Sequence, residues 1–212
     1  MKNLKEYREE RKEVARFMRR LYKKGLTTTS GGNISCRISN DIILITPSAT
    51  DKGRMNWREV GIMSIMGENL TPDLKPSIEY EMHLSIYREK KDISAVVHAH
   101  PVFASAYTAM KCTIDTNLTV EARAICGDPC FVPYALMGTK ELASAASECI
   151  KGSDVLLLEN HGVLAVGNSI LQAFDRLEVL ENAARMTLIV ELTGKKKPLT
   201  RPRIRELEKL FR

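Results

Sequence analysis

Apolar positions along the chain alternate between a helical period and a strand period. Val14, Phe17, Met18, Leu21 and Tyr22 recur at helical spacing and Gly25 follows them, which predicts an amphipathic helix with a glycine cap. A polar turn, Thr27-Thr-Thr-Ser30-Gly31-Gly32-Asn33, leads into a short alternating strand. Apolar runs over 41–46 and 60–66 predict two more strands, separated by Pro47-Ser48-Ala49-Thr50 and a polar stretch over 51–58. Three short strands with brief turns point to antiparallel pairing. Pro76 and Ser77 then precede a helical pattern, so a helix is expected from Ser77 as N-cap to about residue 90. A β-branched run over 94–98 is a buried strand ended by Pro101, and a short helix over 103–110 follows. Between 112 and 133 the pattern yields only short apolar pieces. A helix capped by Thr139 is expected over 139–150, and strands over 154–158 and 163–166. A long helix over 169–193 carries the stripe Ile170, Ala173, Phe174, Leu177, Leu180, Ala184 and Leu188. Lys195-Lys-Lys-Pro198 breaks it, and 201–211 reads as a short peripheral helix. The sum is an α/β fold, a mostly antiparallel sheet with helices on both faces.

Composition narrows the class. At 212 residues the chain fits one domain with a substantial core, and 44% hydrophobic against 27% charged residues is a globular balance. No apolar run reaches the roughly 20 residues a membrane span needs. Residues 1–6 hold no apolar segment of a secretory signal, so a cytoplasmic protein without membrane contact is expected. The five cysteines, at 36, 112, 126, 130 and 149, form no paired framework and are expected to be reduced and buried. The net charge of +6 is uneven. Residues 1–24 hold ten Lys/Arg against four Glu, and residues 195–212 hold eight against two, so the body between is acidic. In the first segment the basic residues alternate with Glu on a helix, which is a solvated face. With no nucleic-acid motif and little aromatic interleaving, no nucleic-acid partner is expected.

The candidate chemistry centres on Val97-His98-Ala99-His100-Pro101. Residues two apart on a strand point to one face, so His98 and His100 project together. Two imidazoles aimed at one point suit a borderline metal such as zinc. His161, at the end of the 155–158 run, is a third of the chain's four histidines. Three histidines with an open position are the pattern of a catalytic metal site. Gly31-Gly32 allows close backbone approach to a ligand, Ser30 and Asn33 add donors, and such a turn can cradle phosphate. The helix start at Ser77 also favours an anion. Glu79 lies beside it and shares a helix face with His83, while Glu81 lies opposite.

These residues carry a resemblance. Ser30-Gly-Gly-Asn33-Ile-Ser, Ile45-Thr-Pro-Ser48, Pro76-Ser77-Ile-Glu79, Val97-His98-Ala-His100, Val132-Pro-Tyr134-Ala with Gly138-Thr, and Glu159-Asn-His161-Gly162 run in order through most of residues 5–190. The chain resembles the class II (zinc-dependent) aldolase family, shared with the adducin head. The resemblance implies a three-layer α/β/α sandwich around a mixed, mostly antiparallel sheet over residues 1–194, with 195–212 as a basic extension. It implies a homotetramer with the active site near a subunit interface. His98, His100 and His161 match the zinc-binding histidines, Glu79 matches the catalytic glutamate and is open as a fourth ligand, and Ser30, Gly32, Asn33, Ser48 and Ser77 fall on the phosphate loops. The activity implied is reversible cleavage of a ketose 1-phosphate, of the L-fuculose 1-phosphate kind, to dihydroxyacetone phosphate and a small aldehyde through a metal-stabilised enediolate. One Zn2+ per chain, or another divalent ion, is the cofactor.

The chain departs from that pattern in places. Ile78 stands where a second Ser is frequent, Ala49 where Gly is usual, and Thr119 where a neighbouring subunit presents a tyrosine. No tyrosine follows Tyr134. These positions would handle the aldehyde half, so fuculose specificity is not implied. Lys52, just after Thr50-Asp51, is within reach of phosphate but reads first as a solvated loop lysine. A ribulose-phosphate 4-epimerase, a methylthioribulose-1-phosphate dehydratase and a non-catalytic adducin-like binding protein are the alternatives. An epimerase of the family carries Asp in the stretch that holds Glu79 here, and a binding protein has no use for the His98, His100, His161 and Glu79 set.

Overall fold

Alternation along the strands sorts the core into two faces of one sheet. The computed structural model describes residues 7–110 and 112–211. Its strands are β1 (Asn33–Arg37), β2 (Ile42–Ile45), β3 (Gly61–Ser64), β4 (Ala95–Ala99), β5 (Cys130–Val132), β6 (Val155–Leu158) and β7 (Gly162–Gly167). They form one seven-stranded sheet in the order β3-β2-β1-β4-β7-β6-β5. Neighbours are antiparallel except β5 and β6, which run parallel. On one face Ile34, Val97, Leu157 and Val163 pack against α1 (Arg8–Lys23), α3 (Val102–Thr108), α4 (Val120–Cys126) and α6 (Ile170–Thr193). On the other, Ile43, Val96, Leu156 and Leu164 pack against α2 (Tyr80–Glu89) and α5 (Lys140–Cys149). The result is the three-layer sandwich with a mixed, mostly antiparallel sheet. Each fully buried Leu, Ile or Phe contributes roughly 1.5–3 kcal/mol.

Helix ends follow the sequence closely. Ser169 accepts the Gln172 N–H at the start of α6, and Gly194 closes it at φ +66°. Thr139 caps α5 through the Leu142 N–H. The basic extension after residue 194 includes α7 (Arg201–Phe211), tied to α4 by an Arg123–Glu208 ion pair of 2.6 Å. Among the described residues no helix is long and apolar enough to cross a membrane. The expectation about a secretory signal falls on residues 1–6, outside the described residues.

Four expectations are corrected. Ser77 does not cap α2; the helix begins at Tyr80 with Glu79 at the N-cap position. Residues 75–78 are instead held along the β2 exit loop, where Ser77 N–H donates to Thr46 O (3.2 Å) and Ile78 N–H to Ser48 Oγ (2.8 Å). Tertiary pairing overrides the local helix signal. The stretch between 112 and 133 hides a helix, α4, capped by Thr119 and ended by Gly127, whose buried positions, Ala122 and Cys126, are small. The cysteines are not all reduced and buried. Cys130 and Cys149 form a disulfide between β5 and α5, Cys112 is exposed and Cys36 half-buried. Their 5.8 Å Cα separation comes from α5 packing over β5, which spacing in the chain does not reveal. Lys52 is not solvated; it is 1% exposed.

Candidate active site

Strand register decides which side chains meet. Asn33 pairs with His98 and Ser35 with Val96, so Asn33, Ser35 and His98 all face α2. His100 leaves the strand end with its backbone N–H on Leu26 O (3.1 Å). His161 sits in the tight connection from β6 to β7, where Asn160 takes φ +53°. Asn tolerates that left-handed conformation better than most residues. The ligand atoms of His98, His100 and His161 lie within 4.8 Å of one another.

Each ring is held. His98 Nδ1–H donates to Val163 O (2.9 Å), which leaves the Nε2 lone pair facing the cluster, 3.1 Å from His100 Nε2. Glycines flank the His100 ring. A Cβ on Gly31 would stand 2.7 Å from Nδ1, and one on Gly162 2.5 Å from Cδ2. Burial first, then the neighbouring imidazoles, lowers the pKa of His98 well below its ordinary value; burial and His161 lower that of His100. Both are neutral bases near neutral pH, the form that binds a cation.

Glu79 completes the cluster. Its Oε2 lies 3.3 Å from His98 Nε2 and accepts a hydrogen bond from Asn33 Nδ2 (2.7 Å); its Oε1 lies 3.3 Å from His161 Nε2. Oε1 is nevertheless buried without a hydrogen-bond partner. A buried carboxyl oxygen left without a hydrogen bond among three imidazoles is costly unless a positive charge joins it. The donor set therefore fits a divalent cation. Glu81, as expected, turns away; its nearest partner is Arg88 at 3.9 Å.

Behind Glu79 runs a buried chain that sequence reading missed. Asn33 gives its amide N–H to Glu79, so its Oδ1 must accept, and His83 Nε2–H donates to it. His83 Nδ1 then accepts from Ser35 Oγ (2.6 Å), whose oxygen lies 2.9 Å from Tyr87 OH. Burial pushes the His83 pKa down to about 3, so the ring is neutral and can donate only once. The signal was present: Glu79, His83 and Tyr87 are four apart on a helix, and Asn33 and Ser35 two apart on a strand.

The cluster opens into a cavity of about 720 Å³, lined by Ser30, Gly32, Asn33, Ser48, Ser77 and Glu79 among others. His100 and His161 also line it, while His98 is fully buried behind them. Gly32 takes φ +67°, and a Cβ there would meet His98 O at 2.8 Å, so only glycine fits. Ser48 Oγ accepts the Ile78 N–H and Ser77 Oγ the Glu79 N–H (3.3 Å), which leaves each hydroxyl proton free to donate. The Asn33 side chain is committed to Glu79 and His83.

A histidine triad able to hold a metal ion on this sandwich defines a class. Residues 12–188 match the model of the class II aldolase and adducin N-terminal domain. The chain is 35% identical over 178 residues to an L-fuculose phosphate aldolase of Methanococcus maripaludis, covering 84% of this chain and 96% of that one. It is 32% identical over 203 residues to a 5-deoxy-D-ribulose 1-phosphate aldolase of Bacillus thuringiensis serovar kurstaki, covering 95% of both. A solved L-fuculose 1-phosphate aldolase superposes with a TM-score of 0.88 at 29% identity, covering 95% of each chain. The chain belongs to the class II aldolase and adducin N-terminal domain family. Within it, the protein is a class II aldolase, a carbon–carbon lyase.

Proposed function

We propose that the protein reversibly cleaves a ketose 1-phosphate to dihydroxyacetone phosphate and a small aldehyde. The observation that carries this reading is the bare Glu79 Oε1 beside three imidazoles, at the head of a cavity whose far wall offers hydroxyl protons. His98, His100 and His161 would hold one divalent cation, zinc first, with Glu79 as a further ligand before substrate arrives. When bound, that cation supplies Lewis-acid polarisation of the carbonyl and adjacent hydroxyl.

The chain's own residues do the rest. Gly32, through its open backbone, and the hydroxyls of Ser30, Ser48 and Ser77 hold the phosphate, so a remote group positions the reacting carbons. Asn33 contributes its backbone there, because its amide is spent on Glu79. As the carbon–carbon bond breaks, its electrons stay on the three-carbon phosphate fragment and the hydroxyl that becomes the aldehyde gives its proton to the Glu79 carboxylate; Glu79 Oε1 then delivers that proton to the fragment's carbon. In the aldol direction the same oxygen removes it. Oε2, fixed by Asn33, keeps the carboxylate aimed throughout.

The aldehyde half is less constrained, since Ile78 and Met137 present apolar surface at the cavity. A small aldehyde of broad type fits this better than a polyhydroxylated one. Assembly as a homotetramer belongs to the same reading. The test is elemental analysis of chelator-free protein beside His98→Ala, followed by a panel of ketose phosphates and 3-oxo acid phosphates. About one zinc per chain, lost in the variant, with dihydroxyacetone phosphate released from ketose 1-phosphates, is the expected result. Release of carbon dioxide, water or an epimer instead would reassign the reaction. Absence of metal after incubation with zinc would leave a fold used for binding.

A further inference from the structure

Lys52 is a buried lysine without an acid. Its side chain is 1% exposed, and no carboxylate of the described residues lies within ion-pair distance of it. Its backbone N–H donates to Thr29 O (2.8 Å), and Nζ donates to Pro47 O (2.5 Å), which uses one of three ammonium protons. The residue lines the same cavity as Ser30, Ser48 and Ser77. The surrounding segments bring little counter-charge. Residues 27–33 and 46–49 hold no charged group. Asp51 is turned onto the Gly53 N–H and Arg54, and Lys75 adds a second positive charge to the cavity wall. Glu59 is the one acid whose field reaches Lys52. At the other end of the cavity Glu79, His100 and His161 face the metal position. Lys75 is exposed, so Lys52 is the buried cation that a phosphate dianion entering here would meet, among otherwise neutral donors.

We propose that Lys52 is the charge partner of the substrate phosphate, a binding residue that selects phosphorylated ligands and lies outside the serine and glycine loops. This rests on the sugar-phosphate reading above. Leaving an ammonium buried and unpaired is unfavourable, and a bound dianion relieves that cost. Burial lowers the Lys52 pKa to about 8 while the cavity holds no anion. The anion raises it again, so phosphate binding takes up a proton at mildly alkaline pH.

The experiment uses zinc-loaded protein and inorganic phosphate as the probe, by calorimetry at about pH 8.5 in two buffers of different ionisation enthalpy, where phosphate is already a dianion. Wild type is expected to bind phosphate with proton uptake. Lys52→Met is expected to weaken phosphate at least ~30-fold, the low end for losing one side of a buried charge pair, and to abolish the uptake. Its zinc content should stay at the wild-type level, and its melting temperature should not fall, since an apolar chain of like volume replaces a buried charge. In turnover the loss should appear in KM more than kcat for dihydroxyacetone phosphate and vanish for unphosphorylated dihydroxyacetone. Lys52→Arg should restore part of the affinity. Equal phosphate affinity and unchanged proton uptake in Lys52→Met would overturn the proposal while leaving the aldolase reading intact. Phosphate binding by neither protein would overturn both.

Discussion

On the strand side of the cavity, His98 is fixed by the sheet register and the Val163 carbonyl, His100 is gripped between Gly31 and Gly162, and Glu79 is backed by a hydrogen-bonded chain four residues deep. On the loop side, Ser48 and Ser77 are joined through backbone N–H groups, Ala49 sits at φ +50°, and Lys52 has a single carbonyl for company. The strand side is complete except for one oxygen, Glu79 Oε1. The loop side, on the phosphate reading proposed above, awaits one anion. The first wall is built to hold chemistry rigidly, as proton transfer requires; the second is built to be closed by the ligand.

The sharpest break of this comparison is Glu79→Gln. The amide keeps its shape and can still face Asn33, but it cannot carry a proton. Turnover should fall by ~10²–10⁴, the range for a general acid–base group, while zinc content and phosphate affinity hold. Near-normal kcat in that variant would sink the role given to Glu79. Asn33→Ala comes next. It removes the hydrogen bond to Oε2 and strands the His83 N–H. Loss of such a supporting group typically costs ~10–100-fold, and here it should fall on kcat with KM for phosphate-bearing substrate little changed. A rise in KM alone would place the Asn33 side chain on the phosphate after all.

The two walls also differ in how far the sequence discloses them. The strand wall follows from period-two alternation: His98 and His100, then Asn33 and Ser35, are forced to common faces by the backbone itself. Most strands and helices, α4 and β5 excepted, are legible for the same reason, down to the Thr139 cap of α5 and the stripe of α6. The loop wall is not. Ser77 carries every local mark of an N-cap, yet pairing with Thr46 and Ser48 keeps residues 75–78 extended and starts the helix at Tyr80. Lys52 reads as a surface residue because nothing local reports that its backbone bonds Thr29 O and that its Nζ is buried on Pro47 O. The Cys130–Cys149 bond is hidden likewise, since it depends on α5 lying across β5. Local propensity is a weak prior where nonlocal contacts decide the backbone.

Acid should separate the walls next. His83 is buried and neutral, with its pKa pushed to about 3, whereas in the unfolded chain it titrates at the ordinary value near 6.5. A base with a depressed native pKa makes the unfolded state bind more protons, so stability is full above pH ~6.5 and is lost as pH falls toward about 3. The slope from this one residue is at most about 1.4 kcal/mol per pH unit. Urea midpoints of metal-free protein at pH 7 and 5 should differ more for wild type than for His83→Gln, which can still donate to Asn33 without gaining charge. Equal differences would mean that the chain behind Glu79 is not held neutral by burial.

The smallest effect lies on the loop wall, at Ala49. Its φ of +50° puts a Cβ in the left-handed region, beside Ser48 in the segment proposed to hold phosphate. That conformation costs an L residue roughly 1–2 kcal/mol, and glycine escapes it while losing about 0.5–1 kcal/mol of chain entropy on folding. Ala49→Gly should therefore stabilise by about 0.5–1 kcal/mol, a rise of roughly 1–4 °C in Tm for a domain of this size. Strain of this kind persists only where neighbours over-determine the backbone, and here the Ser48–Ile78 and Ser77–Thr46 bonds do so. If the strain is only tolerated, Ala49→Gly gains stability and keeps its phosphate affinity. If the alanine instead stiffens the loop for the anion, the same change should weaken inorganic phosphate severalfold while zinc binding, set on the other wall, does not move.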